Sequence, residues 1–339
     1  MIVFAEVSQK EQESILSLID EKYHNQIRFF EQSINAKNAE LFSDATLLCT
    51  FIHSCIDENT LLKLPHLKAI VTRSTGSDHI DIEACKKRHI AVANVPSYGQ
   101  NTVAEYTFTL ILALARRVKP MIERLSRGEF NRDGLKGFDL FGKTIGVIGT
   151  GKIGSHVVLI ARGFGMEVLC YAHHEDPDIS KLPHVSYVSL ETLLSTSDIV
   201  TLHVPANPST FHLINKSNIS LLKSSAMLIN TARGNVVEIE AVVEQLRLKN
   251  LQGGVGLDTF ESEDIWIEEK YLKNDTLSAL ELQKAMLVFS TLRSSNVILS
   301  PHNAYNTQEA LQRIVTISVE NINLFLEKGV FSTPLILKV

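Results

Sequence analysis

Three segments of this 339-residue chain place charged or titratable side chains just after short apolar runs. Arg233 follows the first of these runs, Glu263 lies in the segment after the second, and His302 follows the third. A guanidinium can hold a carboxylate and polarise a carbonyl group, and an imidazole can protonate a new alkoxide. Hydride reduction of a 2-keto acid needs both groups, and a carboxylate beside the imidazole favours its charged form. These three residues are therefore the candidate catalytic set.

The segment KTIGVIGTGKIG, residues 143–154, indicates a second kind of site. It places an apolar strand before Gly149-x-Gly151-x-x-Gly154 and a helix-compatible stretch after it, with Lys152 and Ile153 between the last two glycines. In dinucleotide-binding βαβ units the first glycine makes a tight turn, the second admits the pyrophosphate and the third lets helix pack on strand. The helix N-terminus then points N–H groups at the phosphates. The motif predicts a dinucleotide site.

The acidic residue that usually follows about 20 positions later and binds the ribose hydroxyls is missing. Ala172 ends that strand, and His173, His174, Glu175 and Asp176 come next, with no arginine to neutralise a 2′-phosphate. We expect NAD as the cofactor, and NADP stays open because of Ala172. The two histidines are expected to be exposed loop residues unless NADP is used.

The elements that must position these groups alternate in type along the chain. Short runs rich in Val, Ile and Leu recur between longer helical patterns, and continuous apolar runs are typical of parallel strands covered on both faces. About ten strands exceed one usual open sheet, so the sequence predicts an α/β fold with two doubly wound parallel-sheet domains. The predicted strands are Ile2 to Ala5, Thr46 to Ile52, Lys68 to Thr72, Ile90 to Val95, Thr144 to Ile148, Glu167 to Tyr171, Ile199 to Val204, Met227 to Thr231, Gly254 to Leu257 and Val297 to Leu299.

Helical periodicity predicts two long helices, at residues 101–117 and 307–328. The first is a natural bridge between the domains, and periodicity leaves open which domain the second covers. The stretch from 264 to 296 holds a helical run at 276–292 whose role stays open. Trp266 in that stretch is expected either to cap the cleft or to pack.

Composition excludes several classes of protein. Lys plus Arg at 33 against Asp plus Glu at 38 gives a net charge of −5, which argues against nucleic acid or anionic lipid as a partner. The N-terminus lacks the long apolar region of a signal peptide, and residues 108–115, the most apolar stretch, are too few for a membrane helix. The four cysteines lack metal-ligand spacing and are too dilute for a disulfide scaffold. We expect no metal site, reduced and mostly buried thiols, and a cytoplasmic protein.

Several motifs occur in an order that resembles the D-isomer-specific 2-hydroxyacid dehydrogenase family, and within it the D-lactate dehydrogenases most. The match runs over nearly the whole chain. Its motifs are VTRSTGSDHIDIEACKK, NVPSYGQNTVAE, GVIGTGKIG, SDIVTLHVP, INTARGNVV, GLDTFESE and SPHNAYNT.

The resemblance implies roles for individual residues. Arg233, Glu263 and His302 stand at the family's catalytic positions, and Asp258 would contact the nicotinamide end of the cofactor. Glu261 is two residues off the catalytic position and is interpreted as structural. The implied substrate residues are Ser74, Thr75, Gly76, Tyr98 and Tyr305, with Phe51 and His53 near another pocket-lining segment. Besides the glycine motif and Ala172, the implied cofactor residues are His203, Pro205, Thr231, Ala232 and Asp258.

The resemblance also implies a discontinuous domain. A flavodoxin-like substrate domain would comprise residues 1–102 and 305–339, and a Rossmann NAD(P)-binding domain, residues 103–304, would be inserted into it. Family members are usually homodimers, which gives residues 101–142 an interface role.

The implied activity is reduction of pyruvate or a related small 2-keto acid to the D-2-hydroxy acid. Arg233 and the loop at Thr75 and Gly76 would hold the carboxylate, His302 would protonate the oxygen, and domain closure would exclude water. Glyoxylate or hydroxypyruvate reductases and an NAD(H)-sensing protein of the corepressor type remain alternatives. The reductases usually follow the catalytic histidine with small residues, and phosphite-type members would carry lysine at position 75. A corepressor would need a peptide-binding surface or tail, and none is evident.

Overall fold

The computed structural model describes residues 1–261, 263, 278–292, 294 and 296–336. The chain forms two compact units: Met1–Tyr98 with Thr307–Val339, here the first unit, and Gly99–Asn306, the second unit. The first unit is therefore built from two separated segments. The assignment of substrate and cofactor roles to the two units stays a prediction.

Strands and helices alternate through both units, as the sequence pattern predicts. The described strands are β1 (Ile2–Phe4), β2 (Ile27–Phe29), β3 (Leu47–Thr50), β4 (Ala69–Thr72), β5 (Ala91–Ala93), β6 (Thr144–Ile148), β7 (Glu167–Tyr171), β8 (Val185–Tyr187), β9 (Ile199–Leu202), β10 (Met227–Asn230), β11 (Gly254–Leu257), β12 (Val297–Leu299) and β13 (Pro334–Ile336). The described α-helices are α1 (Gln9–Leu16), α2 (Glu58–Leu62), α3 (Ile82–Lys87), α4 (Gln100–Ala115), α5 (Val118–Leu125), α6 (Lys152–Gly163), α7 (Pro177–Ser180), α8 (Leu190–Thr196), α9 (Ile239–Arg247), α10 (Ala279–Leu292) and α11 (Gln308–Lys328).

Each unit has one sheet. In the first unit the order is β13-β5-β4-β3-β1-β2, parallel except for β13, which pairs antiparallel with β5. In the second unit the order is β12-β11-β10-β9-β6-β7-β8, parallel throughout. The α/β fold with two sheets of the doubly wound type is confirmed. The antiparallel edge strand β13 departs from the predicted all-parallel pairing and was not among the predicted strands.

Both faces of each sheet are buried, which explains the continuous apolar runs. Along β3, Leu48 packs with Ile70 in one core cluster, while Leu47 and Cys49 pack with Val71 in another. Side chains alternate between the two faces of a strand, so a strand covered on both sides must be apolar at every position.

Three observed strands were not predicted from the sequence: β2, β8 and β13. Each has three residues and lies at the edge of its sheet. Their residues are mostly half-buried or exposed, so they lack the long apolar run that marks an interior strand.

The helix predicted at 307–328 is α11, and it belongs to the first unit. Thr307 Oγ1 accepts the N–H of Ala310 at 3.2 Å and starts the helix, and Gly329, with φ of 68°, ends it. None of the described helices is long and apolar enough to span a membrane.

The four cysteines are free, and three of them are buried. Burial raises the pKa of Cys49, Cys85 and Cys170 to about 12, so these thiols are unreactive at neutral pH.

Candidate active site

The glycine motif forms the turn between β6 and α6. Gly149 has φ of 92°, a left-handed conformation that favours glycine, and its N–H donates to Tyr171 O at 2.7 Å. A Cβ at Gly154 would lie 1.9 Å from Gly149 O, so the helix can approach the strand only with glycine there. A Cβ at Gly151 would meet nothing within 4 Å. The second glycine therefore faces open space at the N-terminus of α6, which begins with Lys152 and Ile153.

This arrangement fits a bound dinucleotide. The chain runs from β6 to β7 on one side and returns to β9 on the other, so β6 and β9 flank the switch point where ligands bind in such sheets. His203 follows β9, and its carbonyl would lie 2.7 Å from a Cβ at Gly149. Its Nδ1 is buried and has no hydrogen-bond partner among the described residues. Open space, a helix N-terminus and an orphaned polar atom thus meet at one place.

The predicted ribose-side position, Ala172, is half-buried and has no carboxylate. Beyond it, Asp176 accepts the N–H groups of Asp178 and Ile179 and caps α7. The N–H of Asp176 donates to Tyr187 Oη at 3.0 Å, and this hydroxyl donates to Thr150 Oγ1 at 2.8 Å. Tyr187 therefore ties the turn after β7 to the glycine loop. Nothing in the motif indicates this residue.

The two histidines in that turn, His173 and His174, are both exposed, as the sequence predicts. The other predicted cofactor residues line the carboxyl edge of the same sheet. Pro205 O accepts Thr210 Oγ1 at 2.6 Å, and Thr231 Oγ1 lies 3.0 Å from Thr107 Oγ1. The N–H of Ala232 donates to the side chain of Asn230.

His302 and Glu263 form a hydrogen-bonded pair. Nδ1 of His302 lies 2.8 Å from Oε1 of Glu263, with side chains 21% and 22% exposed. The ring of Tyr305 meets the imidazole edge to face, with 6.3 Å between ring centroids. His302 has φ of 52°, an uncommon conformation for a residue with a side chain. The structure thus holds the imidazole in a strained turn.

Asp258 fixes that turn. Its fully buried carboxylate accepts Ser300 Oγ at 2.6 Å and the N–H groups of Asn303 and Ala304 at 2.8 and 2.9 Å. Burial raises the pKa of Asp258, and these hydrogen bonds work in the opposite direction. Asp258 therefore positions the backbone on both sides of His302. Its predicted contact with the nicotinamide stays a prediction.

Arg233 follows β10, next to the strand that precedes Asp258. Its Nη1 donates to Ala232 O at 2.8 Å, and its carbonyl accepts Asn230 Nδ2 at 2.9 Å. The same Asn230 amide donates to Thr259 O at 3.2 Å, so it joins the loops after β10 and β11. Asn230 is a positioning residue that the sequence reasoning missed because it ends a buried strand.

Strand order brings the catalytic candidates to one edge. β10, β11 and β12 are neighbours, and Arg233, Glu263 and His302 follow them in turn. Glu261 lies apart from this set, since its carboxylate binds His212 Nε2 at 2.8 Å and the N–H of Ile239 at 3.0 Å. These contacts fit the structural role predicted for Glu261, which stays a prediction.

The predicted carboxylate loop of the first unit is held by its own side chains and by that of Asn94. Ser74 Oγ donates to Gly76 O at 2.6 Å, and Thr75 Oγ1 donates to Val95 O at 2.8 Å. Asn94 Nδ2 donates to Thr75 O at 2.7 Å. The backbone of the loop is therefore fixed around an exposed Thr75.

Tyr98 and Trp266 are the remaining predicted positions. Tyr98 is half-buried in the first unit, and its carbonyl accepts Arg313 Nε at 2.7 Å. Trp266 lies outside the described residues. No group of three His, Cys, Asp or Glu side chains in the described chain is arranged to hold a metal ion.

The fold and this site define an NAD-dependent dehydrogenase. A family model for the "D-isomer specific 2-hydroxyacid dehydrogenase, NAD binding domain" matches residues 108–304. The chain belongs to the D-isomer-specific 2-hydroxyacid dehydrogenase family, and its cofactor is NAD.

Individual relatives agree with this placement. The chain is 33% identical to D-lactate dehydrogenase of Escherichia coli, with 93% of each chain covered, and 32% identical to glyoxylate reductase of Thermococcus litoralis, covering 84% of this chain and 82% of the other. It is similar to the crystal structure of D-lactate dehydrogenase from Aquifex aeolicus complexed with NAD and lactic acid. That comparison gives a TM-score of 0.88 and 35% identity, and covers 98% of this chain and 99% of the other.

Proposed function

We propose that this dehydrogenase reduces pyruvate to D-lactate. The observation that carries the proposal is the hydrogen-bonded pair of His302 and Glu263, with His302 on a turn fixed by Asp258 and Arg233 after β10, the strand next to β11. An acid and a cation at one sheet edge are what reduction of a 2-keto acid requires.

Each group has one task in this proposal. When bound, the reduced nicotinamide supplies the hydride that C2 of the keto acid accepts. Arg233 holds the substrate carboxylate and polarises the C2 carbonyl, and His302 donates a proton from Nε2 to the oxygen, which gives the hydroxy acid. Glu263 accepts from Nδ1, so it orients the ring and favours its charged form. Within the first unit, the N–H groups of the loop at Thr75 and Gly76 bind the carboxylate, and a glycine lets backbone come close to an anion.

Tyr98 and Tyr305 are proposed to line the substrate site. The proposed substrate domain comprises residues 1–102 with 305–339, and the proposed cofactor domain comprises residues 103–304. The edge-to-face contact of Tyr305 with His302 supports its place beside the proton donor.

We propose NADH over NADPH. The carboxylates Glu175 and Asp176 follow Ala172, and the segment has no arginine. A 2′-phosphate would meet negative charge there without a cation to offset it.

Steady-state kinetics test the substrate and cofactor together. Pyruvate, glyoxylate, hydroxypyruvate and a branched 2-keto acid are each assayed with NADH and NADPH, and the product is resolved on a chiral column. We expect the highest kcat/KM for pyruvate with NADH and a D product. The similarity to a glyoxylate reductase supports glyoxylate as the second candidate substrate, and a higher kcat/KM for it would replace pyruvate in the proposal.

We also propose that the enzyme is a cytoplasmic homodimer. Phe130 and Phe141, within residues 101–142, have 84% and 81% of their surface exposed. Two phenyl rings in water are costly, and pairing with a second copy would bury them. Four free cysteines fit a reducing compartment.

A further inference from the structure

The sheet of the first unit has its own switch point. The chain leaves β1 for β2 on one side and then continues to β3 on the other, so the carboxyl ends of β1 and β3 flank that point. Ligands bind outside such points in open α/β sheets. Glu6 follows β1, and the loop of residues 51–54 follows β3.

The carboxylate of Glu6 accepts five hydrogen bonds, four from this loop and one from Thr50 at the end of β3. Oε1 accepts Thr50 Oγ1 at 3.2 Å, the N–H groups of Phe51 and Ser54 at 3.1 Å each, and Ser54 Oγ at 2.5 Å. Oε2 accepts the N–H of His53 at 3.0 Å. One side chain therefore satisfies three backbone amides of a loop that forms no helix or strand.

The backbone of Glu6 is itself unusual. Its φ is 58°, in the left-handed region that residues with side chains rarely adopt. Such strain persists where surrounding contacts over-determine it and is concentrated at functional sites. Here the four donors of the loop, together with Thr50, provide those contacts.

Glu6 also reaches the next loop. Arg73, 3% exposed, directly precedes Ser74, and its Nη2 donates to the carbonyls of Ala5, at 3.1 Å, and of Glu6. Its Nη1 pairs with Glu11 at 3.0 Å. The guanidinium carbon lies 5.4 Å from the centre of the Phe51 ring, within the range of a cation–π contact. Glu6 and Arg73 therefore join the loops after β3 and β4.

Side chains of the held loop remain accessible. Phe51 and Ile52 are half-buried and His53 is exposed, whereas Ser54, which binds Glu6, is buried. The Glu6 carboxylate therefore fixes the backbone of the loop, while the side chains of Phe51, Ile52 and His53 keep access to solvent.

We infer that Glu6 is a positioning residue for substrate selection. It fixes the loop 51–54 and, through Arg73, the loop that begins at Ser74, so that the first unit presents one rigid surface to the 2-keto acid. The inference rests on the proposed function. It assigns to Glu6 an effect on KM and on side-chain-length selectivity, because the hydride and proton steps use residues of the second unit.

Glu6→Gln is the main test, because it keeps the volume and removes the charge, and its amide N–H₂ cannot accept from a loop donor. Glu6→Ala removes all five acceptor contacts. We expect KM for pyruvate to rise about tenfold in Glu6→Gln, the equivalent of one charge-assisted hydrogen bond, with kcat changed by less than about threefold. We expect KM for NADH to stay unchanged. The ratio of kcat/KM for a branched 2-keto acid to kcat/KM for pyruvate should rise, because a loop that is held less firmly can move aside for a larger side chain.

Glu11→Gln is the matched control. Glu11 contacts the same Arg73 but none of the loop 51–54 among the described contacts, so its selectivity ratio should equal that of the parent. Hydrogen exchange supplies a second readout: the amides of Phe51, His53 and Ser54 should exchange faster in Glu6→Gln and not in Glu11→Gln.

The outcomes separate the two proposals. An active parent with unchanged KM and selectivity in both Glu6 variants makes Glu6 a purely structural cap and overturns the inference, even if Tm falls. If the parent reduces no 2-keto acid, the proposed function is contradicted, and the inference about Glu6 fails because it rests on that function.

Discussion

Nδ1 of His302 lies 2.8 Å from Oε1 of Glu263, a residue 39 positions earlier in the chain. The bond engages one ring nitrogen, so Nε2 is the atom proposed to donate the proton. The pair of Glu261 and His212 has the same 2.8 Å separation between its atoms. A short contact between carboxylate and imidazole is therefore common to both pairs. The second contact of Glu261, to the N–H of Ile239 at 3.0 Å, ties that carboxylate to the start of α9.

The two pairs predict opposite results on mutation. His302→Ala should lower kcat for pyruvate by about 10²- to 10⁴-fold, the usual contribution of a positioned general acid. Glu263→Gln should lower kcat by less, since the imidazole remains. Glu261→Gln is the control, and its kcat should match the parent while its Tm falls. The measurement is steady-state kinetics at pH 7 with thermal unfolding alongside, and a parental kcat in His302→Ala would remove this residue from the mechanism.

Substitution of Asp258 should lower both the free energy of unfolding and kcat. In Asp258→Ala, Ser300 Oγ and two backbone N–H groups lose a buried acceptor. Each unsatisfied group costs about 1 to 3 kcal/mol of unfolding free energy, and the turn that carries His302 loosens.

Ser300→Ala is the milder partner of that variant, because the carboxylate keeps both backbone donors. Urea unfolding and kcat are measured for both. We expect Asp258→Ala to lose more of each, and equal losses in the two variants would mean that the N–H contacts contribute nothing.

The sequence predicts the parts of the fold and site that depend on local pattern. Interior strands are recognisable because both faces are buried. Arg233 and His302 follow β10 and β12, the two neighbours of β11, which agrees with the rule that parallel strands end at one edge. The edge strand β13 lacks this pattern, because two of its three residues are exposed.

Other contacts between distant segments, unlike that of His302 with Glu263, could not be predicted from the sequence. In the sequence, Glu6 is only a charged residue after a strand, and its hydrogen-bond partners lie 44 to 48 positions away. Tyr187 shares no motif with Thr150, yet its hydroxyl binds that residue. Such bonds depend on strand order and on the exact turn of each loop, which no local spacing encodes.

His203 predicts a pH-dependent stability. Burial lowers its pKa from 6.5 to about 3, so the folded state favours the neutral ring and the unfolded state binds the proton more readily. The free energy of unfolding should therefore fall as pH drops below 6.5 towards 3, by at most about 1.4 kcal/mol per pH unit. This contribution is fully present above pH 6.5.

His203→Gln removes that contribution. Urea unfolding without cofactor, compared between pH 7.5 and 5, should show a smaller decrease in the variant than in the parent. Carboxylates titrate in both proteins, so the difference between them isolates His203. Equal decreases would show that the folded protein binds a proton at His203 as readily as the unfolded chain.

Phe130 and Phe141 predict the assembly state. Each exposed ring would contribute about 1.5 to 3 kcal/mol if a second copy buried it, so Phe130→Ser with Phe141→Ser should weaken a dimer strongly. Phe211→Ser is the control, because Phe211 is also exposed, at 56%, but lies outside residues 101–142. Sedimentation velocity at micromolar concentration should give a dimer for the parent and for Phe211→Ser, and a monomer for the double variant. A monomeric parent would contradict the dimer, and a dimeric double variant would move the interface away from these two rings.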